Sequence, residues 1–435
     1  MYNFSQMQTI NFLIERLGVN GEGVGYHEGF TVFVPGALPG ESVRVVLHEQ
    51  KKTYGRGKIV EHLSVSPHRI DPACPLFGKC GGCQLMHLDY PQQLEAKRQR
   101  VIDALERIGK LSHPDVLPCI PSSLTVGYRN KIQLPSGKGL YAYNTHELVE
   151  VTHCHIHCDL GEKAYEKIRP ILQRFSEGEL RHLLIKTAIH KREILVTLVT
   201  KSKNPPGLPA IAKEIMDCMS EIRGVVQNVN NGAGNRILTT HFETLAGEPF
   251  ILEDILGLSF KISSASFFQV NPSQAKNLYQ KVLDIAALKG YETVLDAYCG
   301  VGTLSLLLAK QAKEVIGVES VSTAIEDAKE NAKRNEITNA QFYCARAQEI
   351  ISHLREIDVA VLNPPRKGCE RSFLEGLLSI APSRILYVSC DPATLSRDLS
   401  YLCLNGYLIE LIQPFDMFPQ TAHVECLVSL VTPKI

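Results

Sequence analysis

The chain has 435 residues, 44% of them apolar, and its 46 Lys and Arg balance its 46 Asp and Glu. This length allows two or three domains with hydrophobic cores, and the composition is ordinary for a globular protein. No apolar run approaches the roughly 18 residues of a membrane span, and the first residues lack the basic-then-apolar pattern of a secretion signal, so we expect a cytoplasmic protein without a membrane partner.

The first region, residues 1–64, is rich in glycine and β-branched residues. Short alternating runs, TVFV, SVRVVL and GKIVEHL, are separated by the turn sequences HEG and PGALPG. Short strands joined by glycine-containing turns are typical of a small closed barrel. We therefore predict an OB-like β-barrel at the N-terminus.

The second region, residues 65–265, is predicted to be a mixed α+β domain with strands such as RHLLIKTA and EILVTLVT. Between Arg69 and Arg236, Lys and Arg outnumber Asp and Glu by six. A positive region of this kind can meet a polyanion. Arg129 and Lys131 lie together in GYRNKIQL, although two basic residues on a strand usually form a solvated face.

The thirteen cysteines need an explanation other than disulfides, which are rare in the cytoplasm. Cys74, Cys80 and Cys83 lie in ACPLFGKCGGCQL, and Cys154 follows in VTHCHIHC. This spacing indicates a metal site, and three thiolates with a fourth Cys or His would suit zinc. Cys158 and the neighbouring histidines compete with Cys154 for the fourth position.

The third region, residues 266–435, alternates strands with helices. The runs TVLDAYCG, EVIGVES, VAVLNPP and RILYVSC are each followed by a helical stretch. This alternation predicts a doubly wound parallel sheet, which binds ligands at the carboxyl ends of its strands. The predicted fold class is thus α/β, with a Rossmann-like C-terminal domain.

Two of these strand ends indicate a nucleoside-bearing ligand. Gly300 and Gly302 follow the first strand and let the backbone approach a ligand, and Glu319 ends the second strand, where it can accept hydrogen bonds from ribose hydroxyls. Ser305 replaces the third glycine of the GxGxxG pattern. The sequence therefore fits S-adenosylmethionine better than NAD.

The third strand end, NPPRKG, begins with Asn363. Enzymes that methylate the exocyclic amine of adenine carry Asn-Pro-Pro followed by an aromatic residue that stacks on the target base. Here Arg366 takes that place, and an arginine suits phosphate or carbonyl contacts. This difference weakens the interpretation as an amino-methyltransferase.

Cys390, in VSCDPATLSRD, follows the fourth strand, and His423 and Glu425 lie at the last one, in HVECLVSL. Carbon 5 of uracil becomes nucleophilic once a thiolate has added to carbon 6, and a base must later remove the proton from carbon 5. Methylation of an amine or hydroxyl needs no such thiolate. A cysteine and a carboxylate beside a methyl donor thus indicate a carbon-methylated pyrimidine.

Six motifs together resemble one family: CPLFGKCGGCQ, SFFQVN, DAYCGVGTLSL, NPPRKG, VSCDPATLSRD and FPQTAHVE. The chain resembles, over essentially its whole length, the RNA 5-methyluridine methyltransferases, which include bacterial 23S ribosomal RNA and transfer RNA enzymes. Its first 64 residues look like the RNA-binding TRAM barrel that precedes this enzyme in many bacteria. The resemblance implies a class I methyltransferase fold for residues 266–435.

The resemblance also implies roles for individual residues. Cys390 would be the nucleophile, Glu425 the base, and Phe267 the aromatic residue near the flipped base. Contacts to S-adenosylmethionine would come from Gln269, Tyr298, Glu319 and Asn363. The family usually has Asp at the position of Asn363, so this chain keeps the size and the carbonyl but loses the charge.

For the cysteines, the resemblance implies a [4Fe–4S] cluster held by Cys74, Cys80, Cys83 and Cys154. It implies RNA as partner, ribosomal RNA before transfer RNA, with Arg129 and Lys131 near its phosphates, and no obligate protein partner is inferred. Two other classes remain open at this point. One is an adenine amino-methyltransferase, and the other is an inactive RNA-binding protein.

Overall fold

The computed structural model describes residues 9–232 and 234–433, so that the first eight residues of the predicted barrel region lie outside it. Among the described residues, none of the helices has the length and apolar character that crossing a membrane requires. The structure contains a closed barrel, a central five-stranded sheet and a seven-stranded sheet.

The barrel has five strands in the order β1-β2-β3-β5-β4. Ile10, Phe12 and Ile14 alternate into its core, as the two-residue period of a strand requires. Strands β4 and β5 approach each other closely at Gly57, where an added Cβ would lie 2.1 Å from the Val45 side chain. The predicted barrel is confirmed, and its strands are β1 Thr9–Leu17, β2 Gly23–His27, β3 Phe30–Val34, β4 Ser42–Gln50 and β5 Tyr54–His62.

The central sheet has the order β12-β11-β10-β9-β6. Helices α2 and α3 cover one face, and the hairpin β13–β14 packs on the other through Ile251 and Ile262. The elements of this part of the chain are α1 Tyr90–Arg107, β6 Lys131–Pro135, β7 Gly139–Tyr141, β8 Leu148–Glu150, α2 Asp159–Ile171, β9 Leu180–Ala188, β10 Glu193–Thr200, α3 Leu208–Asp217, β11 Ile222–Val229, β12 Phe242–Gly247, β13 Phe250–Ile255 and β14 Leu258–Ser263.

The seven-stranded sheet has the order β17-β16-β15-β18-β19-β21-β20. Its first five members are parallel, and β21 runs antiparallel to both of its neighbours. The predicted α/β class is confirmed, with α4 Pro272–Ala286, β15 Thr293–Ala297, α5 Thr303–Ala309, β16 Glu314–Glu319, α6 Ser322–Arg334, β17 Ala340–Cys344, α7 Ala347–Ile350, β18 Val359–Leu362, α8 Arg371–Ile380, β19 Arg384–Ser389, α9 Pro392–Leu404, β20 Leu408–Phe415 and β21 Glu425–Val431.

Helix α1 joins the N-terminal half of the chain to this sheet. It starts at an Asp89 cap, whose side chain accepts from the Gln92 amide at 3.0 Å, and it packs on α9 and β20. The buried face of α1 includes a charged residue, Lys97. Its Nζ donates to Asp416 Oδ1 at 2.5 Å, and both side chains are almost fully buried. An ion pair at this depth compensates two desolvated charges that would otherwise be very costly.

Replacing Lys97 by alanine is expected to lower the free energy of unfolding by about 3–5 kcal/mol, because the Asp416 carboxylate would remain buried without its counter-charge. Urea unfolding followed by circular dichroism would measure the change. Lys110→Ala, just beyond α1 at an exposed position, is the matched control and should change stability little. Equal stability of the Lys97 variant and the wild type would contradict a structural role for the pair.

Candidate active site

A cavity of about 820 Å³ opens at the carboxyl edge of the parallel strands. This is the edge at which doubly wound sheets bind their ligands. The structure brings all of the residues predicted for methyl transfer to the wall of this one cavity. They are Phe267, Gln269, Tyr298, Glu319, Asn363, Cys390 and Glu425.

Strand register explains why Cys390 and Glu425 meet. Strands β19 and β21 are antiparallel, and their last pair at this end joins Ser389 to Cys426. The next residues outward are Cys390 and Glu425, which therefore face each other where the ladder ends. Directly opposed residues on neighbouring antiparallel strands lie close enough for their side chains to interact.

Glu425 is a buried carboxyl group, only 3% exposed. Burial raises its pKa to about 7, and the positive charge of Arg366 acts in the opposite direction. A carboxyl group with this pKa exists in both protonation states near neutral pH. That property suits a general base that must accept a proton and release it again.

The turnover of any reaction that uses Glu425 as base should rise with pH through about 7. The carboxyl is protonated below its raised pKa and cannot accept a proton there, whereas above it the carboxylate predominates. We expect kcat at saturating substrate to increase between about pH 6 and pH 8 and then level off or rise further with the thiolate of Cys390. A rate that falls over this interval would contradict the assignment.

Cys390 is half-buried, directly after β19 and before the cap of α9 at Asp391. Burial raises the pKa of its thiol, and Glu425 raises it further, while Arg366 lowers it by its charge and by an interaction with the thiol. A thiolate is the nucleophilic form, so the guanidinium favours the reactive state. From its motif alone, Arg366 was interpreted differently, as a contact for phosphate or carbonyl groups.

The segment after β15 has left-handed backbone at three alternate positions, Tyr298 at φ 70°, Gly300 at φ 56° and Gly302 at φ 79°, and the first two line the cavity. An added Cβ at Gly300 would meet nothing within 4 Å, so the cavity wall is open there, as a ligand cradle requires. Glu319, at the end of β16, is oriented because its Oε1 accepts from the Ser320 amide at 2.7 Å. These features fit a nucleoside-bearing donor.

The loop that contains most of the FPQTAHVE motif, including His423, forms another part of the cavity wall. This 416–424 loop, Asp416 to Val424, joins β20 to β21 and contributes Phe418 and His423 to the cavity wall. Burial lowers the pKa of His423 to about 4, and Arg366 and Arg100 act in the same direction. The histidine is therefore neutral at pH 7, where it can accept or donate a hydrogen bond without adding charge.

The four cysteines predicted as ligands lie together at a second place. Cys74, Cys83 and Cys154 pack against Met86, Tyr128 and Ile156. Burial raises the pKa of Cys83 to about 12, and Cys154, Cys80 and Cys74 raise it further. Cys158, which caps α2, is not in this group of neighbours. In residues 9–232 and 234–433, no three His, Cys, Asp or Glu side chains have the arrangement of a site for a single metal ion.

Arg129 and Lys131, the basic pair of the central region, do not lie on the same strand. Lys131 begins β6, whereas Arg129 precedes that strand, donates to the Lys131 carbonyl at 2.9 Å and lies near Cys83. Burial lowers the pKa of Lys131. The strand thus begins later than GYRNKIQL suggested, at Lys131, and contact of either residue with RNA phosphates stays a prediction.

Comparison with known proteins connects this geometry to a family. Residues 191–432 match the model of the tRNA (Uracil-5-)-methyltransferase family, and residues 5–60 match the TRAM domain. A protein of Clostridium tetani, described as an uncharacterized RNA methyltransferase, is 40% identical, covering 97% of this chain and 96% of its own. A protein of Clostridium acetobutylicum with the same description is 42% identical, covering 96% and 95%.

The chain belongs to the RNA uracil-5-methyltransferase family. A crystal structure of Pyrococcus abyssi tRNA (uracil-54, C5)-methyltransferase with S-adenosyl-L-homocysteine matches 97% of this chain and 100% of its own, at a TM-score of 0.78 and 29% identity. This RNA uracil-5-methyltransferase is therefore an enzyme that uses S-adenosylmethionine and acts on RNA, with an N-terminal TRAM barrel. Family membership excludes the adenine amino-methyltransferase and the inactive binding protein.

Proposed function

We propose that this enzyme methylates carbon 5 of a uridine through a covalent adduct between Cys390 and carbon 6. The observation that supports the mechanism most strongly is the opposition of Cys390 and Glu425 across the end of the β19–β21 ladder, inside one cavity. A thiol and a carboxyl group with a pKa of about 7 are the two groups that methylation of a pyrimidine carbon needs.

In the first step, the Cys390 thiolate adds to carbon 6, and the electron pair of the double bond moves through carbon 5 onto the carbonyl at carbon 4. Arg366, beside the thiol, favours the thiolate before it adds. Bound S-adenosylmethionine supplies an electrophilic methyl group on its sulfonium, which carbon 5 attacks. Glu425 then takes the proton from carbon 5, the double bond re-forms, and the thiolate leaves.

The remaining cavity residues fit binding roles. Glu319 at the end of β16 would hold the ribose of the donor, and Gln269, Tyr298 and Asn363 would hold its other groups. Phe267 has 69% of its surface exposed at the cavity, so that an unpaired base leaving its stack can lie against the ring.

The first experiment is a covalent trap. The wild-type protein is incubated with S-adenosylmethionine and RNA that carries 5-fluorouridine, and denaturing electrophoresis then detects bonded RNA. Fluorine cannot leave as a proton, so the reaction should stop with the RNA attached to the protein. Methylation of normal RNA without any retained complex would contradict the covalent mechanism.

For the substrate, we propose a uridine in 23S ribosomal RNA, because the barrel together with the cysteine cluster resembles the ribosomal RNA branch. The second candidate is a transfer RNA uridine, which the similarity to the Pyrococcus abyssi enzyme favours. Unmodified 23S ribosomal RNA and transfer RNA should each be incubated with radiolabelled donor, and modified uridines mapped by mass spectrometry. Label confined to transfer RNA would establish the second candidate instead.

We also propose that Cys74, Cys80, Cys83 and Cys154 hold a [4Fe–4S] cluster. Four neighbouring thiols fit such a group, because Cys74, Cys83 and Cys154 pack in one apolar cluster with Cys80 close to Cys83, and four cysteine thiolates are the usual ligands of a [4Fe–4S] cluster. Protein purified without oxygen should be brown and contain iron and sulfide in equal amounts. A colourless protein containing zinc would overturn the assignment.

A further inference from the structure

Much of the backbone of the 416–424 loop is held by other segments of the chain. Three carbonyl groups in succession accept hydrogen bonds from distant side chains. Those of Met417, Phe418 and Pro419 accept from Asn271 at 3.2 Å, Lys97 at 3.0 Å and Tyr128 at 3.0 Å. The position of the loop is therefore determined by its surroundings.

The carbonyl of Gln420, at the middle of the loop, accepts from the backbone amides of Gln84 at 3.0 Å and Leu85 at 2.9 Å. Gln420 has φ 70°, which is unfavourable for a residue with a side chain and persists only where contacts fix it. Its backbone amide and side-chain oxygen both bond to the amide group of Gln93, at 3.1 and 3.0 Å. Without these contacts the loop would relax.

Gln84 directly follows Cys83, and its side chain bridges two segments. Its Nε2 donates to the carbonyl of Gly81 at 2.8 Å, inside the cysteine loop Cys74–Cys83. Its Oε1 accepts from the amide of Ala422 at 3.3 Å, inside the 416–424 loop. A single side-chain amide therefore connects the cysteine loop to the loop that lines the active site.

The barrel also packs against Gln84 and Ala422. Gly21, in the turn before β2, has φ 81°, and an added Cβ there would lie 2.9 Å from the Cβ of Gln84 and 3.3 Å from that of Ala422. The barrel turn, the residue after the cysteine loop and the active-site loop thus pack as one junction. A shift in any of the three must move the others, because close-packed atoms cannot absorb it.

We propose that Gln84 is a positioning residue that transmits the arrangement of the cysteine loop to the active-site loop and so to Glu425, three residues beyond Ala422. The inference rests on the proposed function, in which Glu425 removes the proton from carbon 5. Cys390 follows β19 and precedes the Asp391 cap of α9, and among the described contacts its link to the 416–424 loop is Arg100, which donates to the Ala422 carbonyl and faces Asp391. Proton removal should therefore depend on Gln84 more than formation of the adduct does.

Gln84→Met tests this, because methionine keeps the packing against Gly21 but makes neither hydrogen bond. We expect kcat on normal RNA to fall about tenfold, as the loss of the hydrogen bond to the Ala422 amide implies. KM for RNA and the rate of adduct formation on 5-fluorouridine RNA should stay within about twofold of the wild type. Gln84→Glu, which keeps the acceptor but cannot donate to Gly81, should also lower kcat.

The matched control is Gln280→Met, since Gln280 lies on the exposed face of α4 and bonds only to Asp284 of the same helix among the hydrogen bonds described. It should behave as the wild type in each assay. The metal content of every variant should be measured. If it is equal, a lower kcat in Gln84→Met results from a change in the 416–424 loop and not from loss of the bound metal group.

Three results would overturn the proposal. They are an unchanged kcat in Gln84→Met, an equal fall of kcat and of adduct formation, and a change confined to KM for RNA. The last two would assign Gln84 to general folding or to RNA binding. If the wild type itself forms no adduct, the covalent mechanism has failed. The comparison of the change in kcat with the change in KM in Gln84→Met then still tests the positioning role of Gln84.

Discussion

Cys390→Ala is expected to abolish both methyl transfer and the adduct with 5-fluorouridine RNA. Without the thiolate, carbon 5 of uracil is too weak a nucleophile to attack the methyl group, and no other group on the cavity wall replaces it. Loss of an enzyme nucleophile costs on the order of 10⁴-fold or more in kcat. Transfer of radiolabelled methyl groups to RNA and denaturing electrophoresis would measure the two effects.

The control is Cys403→Ala, since Cys403 lies near the far end of α9 and lines no part of the cavity. It should form the adduct at the rate of the wild type. Methylation by Cys390→Ala at a rate near that of the wild type would mean that the thiol is packing rather than nucleophile, and the covalent mechanism would have to be abandoned.

Glu425→Gln is expected to stall the reaction one step later than Cys390→Ala. Glutamine keeps the size of the side chain but cannot take the proton from carbon 5, so methylated RNA should stay bonded to Cys390 even when it carries ordinary uridine. We expect kcat to fall by about 10²–10⁴-fold, the usual effect of losing a general base. Digestion of the complex and mass spectrometry should identify a methylated nucleotide on Cys390.

Glu326→Gln serves as the control, because Glu326 is exposed on α6, outside the cavity wall. It should turn over normally without retained RNA. If Glu425→Gln lost methyl transfer itself, rather than release of the product, then Glu425 would act before carbon 5 is methylated and the order of steps would be different.

Much of the fold was predictable because its patterns are local. The β-branched runs with glycine turns predicted the barrel, and the alternation of apolar runs with helices predicted the parallel sheet. Cys390 was predicted to stand at a strand end, and it directly follows β19. Such features depend on neighbours in sequence, which a single chain displays.

What could not be predicted depends on register and on distant contacts. Nothing in VSCDPATLSRD or HVECLVSL shows that Ser389 pairs with Cys426, yet that pair is what places the thiol opposite Glu425. Gln93 and Lys97 are polar residues of α1 outside the six family motifs, yet both are buried and hold the 416–424 loop. Their spacing of four, in line with Val101 and Leu105, was the signal that could have revealed them.

The role of Asn363 in binding the donor remains a prediction. The structure places it on the cavity wall, beside the prolines of its motif, where the family usually has Asp. An amide in place of a carboxylate can donate as well as accept, so contacts to the donor or to uracil would change in kind. Family membership nevertheless assigns the chain the same reaction class.

The pair of Lys97 and Asp416 also constrains the order in which the chain can assemble during its synthesis. The two residues are 319 positions apart, so a ribosome adding roughly 5–20 residues per second needs roughly 15–60 s between them. Until then the chain lacks the segment that both buries Lys97 and neutralises its charge, and it has neither the 416–424 loop nor Glu425. A chain terminated before Asp416 therefore lacks the 416–424 loop and Glu425, and we expect it not to modify RNA.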